Sequence, residues 1–246
     1  MTLLLRAELL KLRTTRGIYW YVATLILLTA IAAAAQASDS TVFRRDDPAF
    51  QRDLVSQAVT APLLALLVGI VCVTVEWRHG TITRTLLITP RRWRVLAAKG
   101  VHAALVGIAL AVVAVVVALA VAIPVLSSDN VSFTVDGALV GRIAEIAAAS
   151  ALWGALGVSL GAAVQNQTGA VVGAILFVTL VESLVAALLD WAHLHWMSKV
   201  LPRHALDALA GHEAGLSPGA GGAVGVAYVV VFATVAWLRI RRQDIT

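Results

Sequence analysis

The chain has 246 residues, 60% of them hydrophobic, with a mean hydropathy of +0.88 and a formal net charge of +5. Soluble domains use about 45–50% apolar residues, so a water-soluble fold of this chain would lack the polar coat to cover it. A single cysteine, Cys72, excludes an internal disulfide.

In chain order, residues 1–17 carry Arg6, Lys11, Arg13 and Arg16. Leu5, Leu9 and Leu12 have helical spacing, although Arg16 falls on the same face. The apolar run that follows ends in "AAAAQAS", similar to a signal-peptide cleavage region. It is longer than the apolar core of such a peptide, and we read it as a retained span. Crossing a ~30 Å hydrocarbon core takes about 20 helical residues. Six stretches reach that length: 18–37, 55–75, 101–123, 142–164, 169–189 and 220–238. The third, with "ALAVVAVVVALAVAIP", admits no other reading. The fourth is the weakest, because Arg142 and Glu145 stand at its start, three apart and able to pair. The fold class expected is all-α, a polytopic membrane protein with six transmembrane helices forming one domain over 1–246. Tyr19, Trp20, Trp77, Trp93, Trp191, Trp196 and Trp237 sit near span ends, where amphipathic rings anchor helices at the membrane surface.

Six spans put both termini on one side. That side collects thirteen Lys/Arg, including Arg239, Arg241 and Arg242, against six on the other. Three acids lie on the first side and ten on the second, leaving Glu182 inside a span. By the positive-inside rule both termini are cytoplasmic, 76–99 is a cytoplasmic loop and 190–219 an outer one. The basic charge is thus an orientation signal and gives no reason to expect nucleic acid.

The loop reads "VEWRHGTITRTLLITPRRWRVLAAKG", with six Lys/Arg and one acid, Glu76. Gly80 can end the preceding helix, Thr81 can cap a short helix over 82–88, and Thr89-Pro90 can open the next. The short helix shows Ile82 and Leu86 on one face and Arg84 on another. Attraction to anionic lipid explains the arginines. It does not explain Glu76, or a half-apolar helix held in the cytosol.

These residues resemble a known family. "LLLRAELLKLRTTRGIYW" is similar to the opening of permease subunits of type-2 ABC exporters, which begin E-L-x-K-L-R/K. The 76–99 loop is similar to their first cytoplasmic loop, E-[FYW]-x-x-G-T-[IL], and "AWLRIRRQDI" resembles their R-R-D-x ending with Gln243 interposed. The resemblance implies that 82–88 is a coupling helix docking on a cytoplasmic ABC ATPase, with Glu76, Arg78, Gly80, Thr81, Ile82, Arg84 and Leu86 carrying the coupling. It implies that 1–17 is an interface helix, with Glu8, Lys11 and Arg13 in its motif. It further implies a pair of permeases, as homodimer or related heterodimer, with two ATPase copies in a bacterial cytoplasmic membrane.

No G-x-x-x-x-G-K-[ST] phosphate loop occurs in the sequence. The chain is therefore expected to be no enzyme and to hold no cofactor, with ATP and Mg on the partner ATPase. An aliphatic interior suggests an amphipathic or hydrophobic cargo such as a drug, antibiotic, peptide or lipid. The alternatives are an ion-coupled secondary transporter, for which one acid at depth is few, and a membrane scaffold without transport.

Other candidates for chemistry are weaker. Gly157-Val-Ser159-Leu-Gly161 matches the G-x-S-x-G elbow, but that motif needs a strand–turn–helix setting and this one lies in a span. Glu182 is the acid at depth, and such acids point to function by default. With Thr179 and Ser183 it forms a candidate substrate path, against the plainer reading that it snorkels or is satisfied near Arg142 and Glu145. His193, His195, His204 and His212 lie in the outer loop, which reads as a gate or cap built on a helix from Pro202 to Ala210 ended by Gly211. No metal site is expected. Gly157/Gly161, Gly169/Gly173 and Gly221/Gly225 form G-x-x-x-G pairs suited to close helix contact, within the chain or between copies.

Overall fold

The computed structural model describes residues 17–38, 47–82, 92–128, 133–211 and 215–242. The interface-helix residues Glu8, Lys11 and Arg13, and the loop residues Arg84, Leu86, Thr89 and Pro90, lie outside them. Every regular element among the described residues is helical, and six helical rods are long and apolar enough to cross a bilayer.

The first rod is α1, Gly17–Ser38. The second joins α2, Pro48–Ser56, through a 3-10 turn at Gln57–Val59 to α3, Thr60–Arg78. Asp47 caps α2 by accepting the Ala49 amide at 2.8 Å, and Pro48 follows at a position that has no amide to satisfy. Pro62 cannot donate to the carbonyl of Ala58, and the tightened 3-10 turn falls just before that missing bond. Next come α4, Arg92–Ser128, and α5, Gly137–Val164, capped by Asp136 on the Leu139 amide at 2.7 Å. Gln165, left-handed at φ 60°, ends α5, and Asn166 caps α6, Gln167–Leu176. These two residues turn the chain from α5 into α6. A π-helical turn, Phe177–Val181, carries α6 into α7, Glu182–Trp191, and the three form the fifth rod. Two short helices follow, α8, His195–Ser198, and α9, Pro202–Leu209, before α10, Pro218–Arg241.

The least apolar span, α5, is among the most enclosed, packed by α3, α4 and α10. A helix surrounded by protein has no lipid to satisfy, so it tolerates Ser150, Trp153 and Ser159 in its buried face. Glycines set how near its neighbours come. A Cβ on Gly157 would stand 2.2 Å from the Leu66 carbonyl oxygen of α3, and one on Gly107 of α4 would stand 2.2 Å from that of Ser150. Gly69 and Gly154 make equally close approaches. Helix association in lipid relies on such packing, because no hydrophobic force separates one helix from a lipid tail.

Of the G-x-x-x-G pairs, Gly157/Gly161 meets α3 and Gly221/Gly225 meets α9 and Leu152 within this chain. Gly169 meets only its own cap Asn166 and Gly173 has open space, so that pair makes no close helix contact here.

Helix ends collect at two levels. Arg78 donates to Gln167 Oε1 at 3.4 Å, and Arg239 to the Ala163 carbonyl at 2.7 Å, so the ends of α3, α5 and α10 meet the start of α6. We call this the basic end. At the opposite end, Ala37, Phe50, Leu54, Ala122 and Leu126 form a small core, and Gln51 Oε1 accepts the Thr134 amide at 2.8 Å.

Candidate functional site at the basic end

The loop 76–99 is rooted in a junction of four helices. Its floor is a separate apolar cluster of Val73, Ile82, Val95, Val158, Ala236 and Ile240, drawn from α3, α4, α5, α10 and the loop itself. Gly80, at φ +67°, turns the chain out of α3, and its amide bonds the Trp77 carbonyl at 3.2 Å. The Thr81 hydroxyl reaches back to the Glu76 carbonyl at 3.4 Å. Ile82 then folds inward and is 9% exposed. Ile82, expected beside Leu86 on one face of the coupling helix, is packed into this apolar floor. Ile82 fills space left between the tips of α3 and α4, and so staples the loop to both.

Above this floor lies an ion pair that the sequence did not disclose. Lys99 Nζ of α4 donates to Glu76 Oε1 of α3 at 2.7 Å, with side chains 2% and 7% exposed. In the sequence Lys99 is simply one of six cations in the loop. It is among the largest fully buried side chains of the protein, and His102, three residues further on, is buried beside it on α4. Two charges withdrawn from water are costly, and the cost is recovered only through close geometry. The pair therefore binds the two flanks of the loop to each other and fixes where α3 stands against α4.

Two arginines close the remaining helix ends. Arg92, at the start of α4, donates to the Ile240 carbonyl and, at 3.4 Å, to that of Arg241. Arg239 donates to Ala163 near the end of α5. The last carbonyls of a helix have no partner of their own and carry partial negative charge, so a guanidinium there satisfies both needs. Arg78 and Thr81 are exposed. Among the described residues the junction shows no nucleophile hydrogen-bonded to a base, and no group of three metal-ligating side chains occurs. The root of the loop is thereby packed against α3, α4, α5 and α10 together.

The candidates around Glu182 are arranged differently from the sequence reading. Glu182 is 1% exposed, while Thr179 and Ser183 are exposed and donate back to Ile175 and Thr179 carbonyls of their own helix. The three do not form one polar surface. Glu182 Oε1 instead accepts the amides of Arg203 and His204 at 2.6 and 3.3 Å, with His204 Nδ1 at 3.4 Å. It caps α9 from another helix, where the N-cap residue Leu201 offers no side-chain bond. Snorkelling is excluded by its burial, and Arg142 is engaged elsewhere, on Glu145 at 3.6 Å and the Ala210 carbonyl at 3.1 Å. A Cβ on Gly211 would fall 1.1 Å from the Arg142 guanidinium, and at φ +77° any other residue there would be strained and would push that side chain aside. His195 and Ser198 both hold Asp190, at 3.1 Å each. Ser159 donates to the Ala155 carbonyl in mid-helix, which is no nucleophile elbow.

Residues 4–189 match the family model described as ABC-2 family transporter protein. The chain belongs to the ABC-2 transporter family. No curated protein matches it. As a permease of the ABC-2 family it is a multi-pass transport subunit, distinct from the ABC ATPase with which such permeases associate.

Proposed function

We propose that this ABC-2 permease is the membrane subunit of an exporter, driven through the basic-end junction by ATP hydrolysis on a partner chain. The observation that carries this reading is the buried Glu76–Lys99 pair at 2.7 Å beneath the loop. A loop that only bound lipid would have no need of an ion pair in its root. In this reading the basic end is cytoplasmic, both termini share that side, and the ATPase, two copies with ATP and Mg, presses on 82–88. Gly80 and Thr81 form the hinge, Glu76 and Lys99 the link, and Arg78 the exposed contact. Arg84 and Leu86 reach the ATPase, and residues 1–17, through Glu8, Lys11 and Arg13, lie along the membrane surface.

The second permease copy covers α1 and the Gln167–Trp191 rod, which the chain leaves largely unburied. Cargo is amphipathic or hydrophobic. A cavity of about 370 Å³, lined among others by Trp153, Phe177, Tyr228 and Phe232, supports an apolar occupant. Leu201 and Pro202 border that cavity at the start of α9, the helix Glu182 holds. Glu182 thus acts on the path as the latch of an outer cap, with Thr179 and Ser183 on the same rod outside it.

Transport in inside-out vesicles containing this permease and its ATPase tests the reading. Uptake of an amphipathic dye should require MgATP and survive ionophores that collapse ion gradients. Uptake that ignores ATP but stops with the ionophore would overturn it.

A further inference from the structure

A groove of about 530 Å³ lies between α4 and α10, with α5 contributing to its wall. Leu96, Val101, Val229 and Val230 line it, and its two hydroxyls are already committed. Ser159 donates to Ala155 at 3.0 Å and Thr234 to Val230 at 2.7 Å, each within its own helix. Away from the two indoles at its mouth, the groove therefore offers an oily wall whose hydroxyls are already bonded. Along α4 it runs from Trp93 to Ala104, a rise of about 16 Å at 1.5 Å per residue. That is roughly half of a ~30 Å hydrocarbon core, the depth of one leaflet.

Its mouth is basic. Trp93 and Trp237 stand at the outer edge, and the guanidinium groups of Arg94 and Arg241 lie 5.5 Å from the respective ring centroids. Arg92 and Arg239 nearby are engaged with helix carbonyls. Among the described residues no carboxylate pairs with Arg94 or Arg241. Two cations thus overhang an apolar slot one leaflet deep.

We propose that the groove is a binding site for one anionic phospholipid of the leaflet at the basic end. One acyl chain fills the slot, and the phosphate meets Arg94 and Arg241. The indoles, amphipathic and held beneath the guanidinium groups, mark the level between chain and headgroup. Charge and depth both favour this occupant over a second permease copy, which would have to bring its own acids to two exposed arginines.

The test is lipid retention by the purified full-length permease, read by native mass spectrometry with added phosphatidylglycerol or phosphatidylcholine. Two basic residues at a membrane surface should give the wild type a preference for phosphatidylglycerol of roughly tenfold or more. Arg94→Ala with Arg241→Ala should abolish it. Gly100→Leu should abolish it too while leaving every charge in place. Gly100 lines the groove and a Cβ there meets nothing within 4 Å, so the change fills the slot without displacing backbone. Ala104→Phe serves the same purpose if that variant expresses poorly. Preference that survives both filling variants would mean diffuse attraction to a basic surface, and would overturn the site. Equal retention of the two lipids would overturn it as well. So would an intermolecular disulfide through Thr234→Cys in a Cys72→Ala background, which would put a second copy over the groove.

Discussion

Replacing Lys99 with methionine keeps the length of the side chain and deletes its charge, leaving the Glu76 carboxylate inside the junction. Because the two side chains are only 2% and 7% exposed, the loss should follow the rule for buried pairs, about 3–5 kcal/mol when one partner is removed. Glu76→Gln strands the ammonium and should cost a similar amount. For a chain of this size about 1 kcal/mol moves the melting temperature by roughly 2–4 °C, so each single variant should melt on the order of 10 °C lower. The double variant strands no charge. It should recover most of the loss, because replacing a whole buried pair with apolar or neutral groups is often close to neutral. Thermal unfolding of the four proteins in detergent gives the coupling energy directly. Single variants that each cost less than about 1 kcal/mol, as an exposed pair would, would refute the reasoning. So would a double variant as damaged as the sum of the singles.

Ile82→Asp should fail to fold and not merely uncouple ATP use from transport, because Ile82 lies in the apolar floor of the junction; a normally expressed, normally melting variant would contradict this. Gly107→Ala and Gly157→Ala should each lose about 1–3 kcal/mol from forced separation of helices, whereas Gly141→Ala, whose Cβ meets nothing within 4 Å, should be neutral or slightly stabilising in the same melting assay. Glu182→Ala should cost about 1–3 kcal/mol for the buried amides it leaves unmet, and Glu182→Gln clearly less, since an amide oxygen still accepts from Arg203. Equal losses for the two would mean that the cap is not what Glu182 provides.

The spans were legible because a bilayer imposes length and composition together, and nothing else in a chain produces six such runs. The helix reading hardest to defend, 142–164, was hard for a physical reason. Arg142 and Glu145 stand at its start, and α5 contacts mostly protein, which can meet such side chains where lipid cannot. Glycine spacing pointed to close packing but not to its full extent, since Gly69, Gly107 and Gly154 approach as closely as Gly157 outside any shared motif. A crossing needs one small residue where the helices touch, and no fixed register.

The Glu76–Lys99 pair was invisible because the partners stand 23 residues apart across the loop, and each alone resembles an ordinary charge at a span end. A lone acid in an otherwise apolar junction was the available clue. Glu182 was legible as an anomaly but not as a cap, since its partners are backbone amides, which every residue has. Leu201-Pro202 opening a helix without a capping side chain was the sign that another segment must supply one.

The central claim is that the ATPase works on the basic end through the loop that follows Gly80. Thr81 is exposed at that end, and Ser217 caps the start of α10, at the opposite end from Arg241. Cysteines placed singly at these positions in a Cys72→Ala background, with a short bifunctional reagent in membranes holding the assembled transporter, decide the matter. Thr81→Cys should cross-link to the ATPase subunit and Ser217→Cys should not; cross-linking from Ser217→Cys, or from neither in an active transporter, would contradict the claim.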